Sequence, residues 1–145
     1  MTDLHHLTLE AYQTLLQQAM AMATADPGRP ICVAVCDERG LLIAFARMAG
    51  APARSVRIAQ GKAYSAARMG VTTEALLARL HREQIAVGYF CDPELTALPG
   101  GSPLQDRSGQ VLGAIGVSGL SSAQDQTITD AVAARWQTMS VNQPS

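Results

Sequence analysis

The chain has 145 residues, 11 basic against 12 acidic side chains, 48% hydrophobic and 16% charged residues, which predicts one folded domain over 1–145 and excludes a disordered or collagen-like chain. A net charge of −1 provides no global field for nucleic acid or an anionic membrane surface. No apolar run reaches the roughly 18 to 20 residues that span a bilayer, and Met1 to Leu9 carries Asp3, His5 and His6 in place of a basic leader, so a cytoplasmic protein without membrane or nucleic-acid partners is expected.

In chain order, Thr8 caps a predicted helix over Leu9 to Ala25, whose Tyr12, Leu15, Leu16, Ala19, Met20 and Ala23 share one apolar face. Asp26-Pro27-Gly28 stops it. Ile31 to Cys36 and Leu41 to Arg47 are two aliphatic runs joined by Asp37-Glu38-Arg39-Gly40, the pattern of a hairpin. Both runs are apolar on both faces, so helices or a second subunit should cover at least part of the sheet on each side. Ser55 to Met69 is a second helix with an alanine-rich face, closed by Gly70. Thr72 or Thr73 caps a third, running to about Gln84. Ile85 to Cys91 is read as a strand, Pro93 to Pro103 as irregular backbone, and Gln110 to Ser118 as a strand after a turn at Asp106 to Gly109. The capping box Ser122-Ala123-Gln124-Asp125 opens a last helix through Ile128, Val132 and Trp136, and Val141 to Ser145 should fray. The order predicts an α+β domain with a mainly antiparallel sheet.

Signals for chemistry are dispersed. From Arg39 to Thr73 the chain carries Arg39, Arg47, Arg54, Arg57, Lys62 and Arg68 and no acidic residue. This segment is either an anion-binding face or a helix face paired with Glu74, Glu83, Asp125 or Asp130. The glycines of Leu98-Pro99-Gly100-Gly101-Ser102-Pro103 permit close approach, by a ligand or within a demanding turn. Gly113, Gly116 and Gly119 match neither a dinucleotide fingerprint nor a P-loop. Gly116-Val117-Ser118-Gly119-Leu120 lacks the last glycine of a nucleophile elbow. His5 and His6 are imidazoles that an arm could bring to a haem iron. His81 is read as a surface residue, and Cys32, Cys36 and Cys91 as reduced, buried thiols. The histidines lack zinc-enzyme spacing, so no metal centre is expected.

Val33-Ala34-Val35-Cys36-Asp37-Glu38-Arg39-Gly40, Ala46-Arg47-Met48-Ala49-Gly50-Ala51, Ala59-Gln60-Gly61-Lys62-Ala63, Leu98-Pro99-Gly100-Gly101 and Gly113-Ala114-Ile115-Gly116-Val117-Ser118-Gly119 with Asp125 together resemble the family of GlcG, HbpS and PduO C-terminal-like domains. The resemblance runs from about Leu7 to Trp136, within a core of about 7–138, and identifies a stand-alone member without the adenosyltransferase domain. It implies a profilin-like fold with an antiparallel sheet of about five strands and flanking helices, assembled as a homo-oligomer. It also implies a haem or related tetrapyrrole ligand, with an accessory role beside a cobalamin-dependent diol or glycerol dehydratase or in glycolate use. Arg47 and Lys62 are the candidate anion contacts, Gly100 and Gly101 the points of backbone approach, His5 or His6 the iron ligand, and Asp125 a helix cap. Two other functions compete with a haem-binding protein. One is an enzyme of small organic acids, for which no acid–base pair is evident; the other is a non-catalytic assembly partner of a larger enzyme.

Overall fold

The computed structural model describes residues 8–142, with side chains through 138. Helix α1 (Leu9–Ala25) is followed by strands β1 (Cys32–Asp37) and β2 (Leu42–Arg47), then helices α2 (Ser55–Met69) and α3 (Thr73–Glu83). A 3-10 turn (Val87–Phe90), strands β3 (Gly101–Gln105) and β4 (Val111–Ser118), and helix α4 (Ser122–Asn142) complete the chain. Among the described residues, no helix is long and apolar enough to cross a membrane.

The four strands form one antiparallel sheet in the order β2-β1-β4-β3. Strand alternation divides the core in two. Val33, Val35, Ile115 and Val117 face α1 and α4, where Leu15, Ala19, Val132 and Trp136 pack. Cys32, Ala34, Cys36 and Ala114 face α2, which answers with Ala59, Ala63, Ala66 and Ala67. These small side chains bring α2 very close to the sheet: a Cβ on Gly116 would collide with the Ala59 carbonyl oxygen and lie 2.6 Å from the Ala63 nitrogen. The β2 edge of this face is less covered, and Leu41 and Leu42 remain 56% and 50% exposed.

The α+β class and antiparallel sheet are as expected, but the sheet has four strands where about five were expected. The segment 85–91, read as a strand, is not part of the sheet. Left-handed residues bracket it, Gln84 at φ 55 and Cys91 at φ 59, and bonds from Tyr89 N–H to Ala86 O and from Cys91 N–H to Gly88 O satisfy its backbone locally. Conversely, the stretch expected to be irregular through Pro103 contributes β3 from Gly101 onward. Proline is tolerated because β3 is an edge strand. The reversal at Cys91 also leaves its thiol exposed, unlike buried Cys32 and Cys36; all three are free. His81 is exposed as expected. Helix α4 extends to Asn142, past the start of the predicted fraying, and residues 143–145 lie outside the described residues.

Candidate functional site

The sequence candidates separate into three places. Lys62, Gly100 and Gly101 converge with Asp125 in the interior. The Lys62 ammonium donates to the Val117 carbonyl at 2.9 Å and to Asp125 Oδ2 at 3.0 Å, with the two side chains only 1% and 2% exposed. Burial pushes Lys62 below its ordinary pKa while Asp125 draws it back up. Burial likewise pushes Asp125 above the usual carboxylate range while Lys62 pulls it down. Each charge compensates the other where water cannot.

Gly100, at φ +131, is a conformation that side chains avoid, and a Cβ there would lie 2.6 Å from Lys62 Nζ. A Cβ on Gly101 would collide with the Lys62 carbonyl. The Gly100 N–H donates to Gln126 Oε1 at 2.7 Å and the Gly101 N–H to Thr73 Oγ1 at 2.9 Å. Gln126 Nε2 donates to the Gly101 carbonyl at 3.0 Å and to Asp130 Oδ1 at 2.9 Å. The close approach made by these glycines is thus to α2, α3 and α4, and their amides are satisfied within the chain.

Asp125 is not the cap of α4. Gln124 N–H donates to Ser121 Oγ at 3.1 Å and Ser121 N–H donates back to Gln124 Oε1 at 3.1 Å, a capping box one residue earlier than the expected Ser122 to Asp125. That shift leaves Asp125 for Lys62 and for the Leu120 N–H at 3.2 Å.

Arg47 lies apart, at the exposed end of edge strand β2. Its Nη2 donates to the Ala51 carbonyl at 2.9 Å and closes the loop after the hairpin. His5 and His6 lie outside the described residues.

A concavity opens elsewhere, along the outer face of α2. A hollow of about 710 Å3 is bounded by Leu41 and Leu42 from the hairpin, by Val56, Arg57, Gln60 and Tyr64 from α2, and by Pro93 and Glu94, with Cys36 on its floor. A second hollow of about 490 Å3 adjoins it, sharing Tyr64 and Pro93 and continuing to Arg68, Met69, Phe90 and Asp92. Both volumes lie in the range typical of cofactor sites. Arg57, Gln60, Gly61, Tyr64 and Arg68 stand at i, i+3, i+4, i+7 and i+11, so one helix stripe lines the whole groove. That spacing was readable in the sequence; which side of α2 would be open was not.

Tyr64 is the post between the hollows. Its hydroxyl donates to Asp92 Oδ2 at 2.7 Å, and the Arg68 guanidinium carbon lies 5.5 Å from its ring centroid. Its ring also covers Gly40, where a Cβ would lie 2.6 Å from Tyr64 Cδ2. The hydrogen bond to Asp92 raises the phenol pKa and, from the other side, lowers that of Asp92.

The groove offers part of what a tetrapyrrole requires. Leu41, Leu42, Val56 and Pro93 offer apolar walls, and Arg57 is a cation with no carboxylate in salt-bridge range among the described residues. The Cys36 thiol is a poor iron donor, because burial pushes its pKa up to about 12 and only the thiolate ligates metals. No cluster of three or more metal-binding side chains occurs among the described residues.

The comparisons with known proteins agree with this architecture. HbpS aligns over 93% of this chain and 93% of its own, with 32% identity and a TM-score of 0.80. ORFY of Klebsiella pneumoniae aligns over 94% of both chains at 25% identity, TM-score 0.80. PduOC, solved as a haem complex, covers 89% of this chain and 94% of its own at 25% identity, TM-score 0.78. Ybr137w, at 15% identity and a TM-score of 0.75, shares the fold alone. No curated protein matches significantly. The family model described as haem degrading protein HbpS-like matches residues 7–134, and the chain belongs to that family.

Proposed function

We propose that this chain is a homo-oligomeric binding protein for haem or a related tetrapyrrole, and that the groove along α2 receives the macrocycle. The observation that carries this reading is the pairing of apolar walls with the Arg57 guanidinium in one hollow of about 710 Å3, in a chain of the HbpS-like family. PduOC, a relative of the same fold, was solved with haem bound. Arg57 takes a propionate as a charge-assisted pair, while Leu41, Leu42 and Val56 bury the ring. Arg47 is a second cation for an acidic group only if the ligand reaches beyond the groove, while the packed backbone at Gly100 and Gly101 offers no point of approach. His5 and His6 are candidate iron ligands from the N-terminal arm.

The test is a ferric haem titration followed at the Soret band, with size-exclusion chromatography of the product. Saturation at a fixed haem-to-subunit ratio on an oligomer is expected. A featureless, non-saturating response overturns the proposal. Within a saturating complex, an unchanged spectrum and affinity in the His5→Ala/His6→Ala variant removes the arm from the coordination sphere.

A further inference from the structure

We propose that Tyr64 is an iron ligand of the tetrapyrrole site, its phenol oxygen meeting ferric iron at the boundary of the two hollows. This rests on the haem reading above. Three observations converge on the residue.

The first is position: Tyr64 and Pro93 line both hollows, and Tyr64 is the one of the two with an oxygen to offer. A ligand lying along the α2 stripe has Arg57 toward one end and Arg68 toward the other. Those residues are 11 positions apart, about 16 Å at 1.5 Å per residue.

The second is proton management. A phenol binds iron as phenolate, so its O–H bond must break as the iron–oxygen bond forms. The Asp92 carboxylate stands 2.7 Å away along the existing hydrogen bond and is placed to take that proton. From Asp92 the proton passes to solvent, so that Tyr64 binds as phenolate and Asp92 remains a carboxylate. The iron stays ferric, and no oxidant or reductant is required. Tyrosinate is an established axial ligand of haem iron.

The third is rigidity. The ring is held against Gly40 and beneath the Arg68 guanidinium at 5.5 Å, a cation that also favours the phenolate. A ligand fixed before binding loses little freedom when the metal arrives. Cys36, the thiol on the same groove floor, is held protonated by burial and does not compete.

A purely structural post would use the same ring contacts, and Tyr64→Phe separates the two roles because it keeps the ring and deletes the oxygen. Wild-type protein, Tyr64→Phe and His5→Ala/His6→Ala are each titrated with ferric haem, with folding checked by circular dichroism. Tyr64 ligation predicts three changes in Tyr64→Phe: a shifted Soret band, loss of the phenolate-to-iron charge-transfer absorption and of the tyrosinate Raman modes, and affinity weaker by roughly tenfold or more. Asp92→Asn should retain the ligand and alter the spectrum less. A Tyr64→Phe complex that superimposes on wild type in spectrum and affinity overturns the assignment while leaving haem binding intact. A wild-type protein that never saturates removes the haem reading itself, so the two failures are distinguishable.

Discussion

The two sides of helix α2 show how one element gives like charges opposite roles. Lys62 and Arg57 are five residues apart, about 140° around the helix. Lys62 points into the sheet side, is 1% exposed and is matched by Asp125, within a packed region where glycines admit no Cβ. Arg57 lines the open groove beside Leu42 and Tyr64. A cation that is dry and paired holds elements together; a cation at a wet, concave surface is available to a ligand. The difference is one of surroundings, since both residues belong to the same acid-free segment.

The comparison breaks most easily on its dry side. Lys62→Met should cost about 3–5 kcal/mol in urea unfolding, because Asp125 is left as an uncompensated buried charge. Adding Asp125→Asn should recover part of that loss. A cost below about 1 kcal/mol for the single variant would mean that water reaches the pair and that the two sides of α2 do not differ as described.

Gly116→Ala ranks next. Its new Cβ meets Ala59 and Ala63 backbone, which cannot rotate away as a side chain could. A loss of about 3 kcal/mol is expected, the upper end of overpacking costs, measured as the midpoint shift in denaturant. A wild-type midpoint would show that α2 can lift from β4.

The smallest effect sharpens the groove side. The Tyr64 hydrogen bond holds Asp92 below the usual carboxylate range, so its stabilisation is present above the ordinary aspartate pKa of about 3.9 and is lost as pH falls through the lower native value. The same bond raises the Tyr64 pKa, so the contribution is also lost as pH climbs above the ordinary tyrosine value of about 10. The melting-temperature difference between wild type and Tyr64→Phe should therefore be level from about pH 5 to 9 and narrow at both extremes. A difference that widened on acidification would show that Asp92 is not the partner in solution.

Much of the fold was legible because its signals are local. Thr8 caps α1 as its position implies, its Oγ1 accepting from the Ala11 N–H at 3.1 Å. The hairpin turn, the alanine face of α2 and the Gly70 stop are all decided within a few residues. Segment 85–91 misled because aliphatic residues in a short run suit a strand and a 3-10 turn alike, and the left-handed Gln84 and Cys91 leave no sequence mark. The α4 cap misled for a related reason: Ser121-Ser122 offers two overlapping boxes, and only the chain's arrival at Leu120 selects the first. Of the site, Lys62 was read as an anion contact and Gly100 and Gly101 as points of ligand approach, in two separate motifs, whereas in the fold Lys62 pairs with Asp125 and the two glycines pack against it. Their surroundings were not legible, because the residues that satisfy them, Gln126, Thr73 and Asp125, come from other elements.

By itself the sequence determined the family, the α+β class, the principal helices and the acid-free basic segment, all properties of local pattern or of motif order along the chain. Only the tertiary structure decided which cation of that segment is buried and which lines a groove, and that Tyr64 meets Asp92 across 28 positions. The physical reason is that burial and pairing are set by what packs against an element. For α2 those partners are a sheet, two other helices and a loop, drawn from distant parts of the chain.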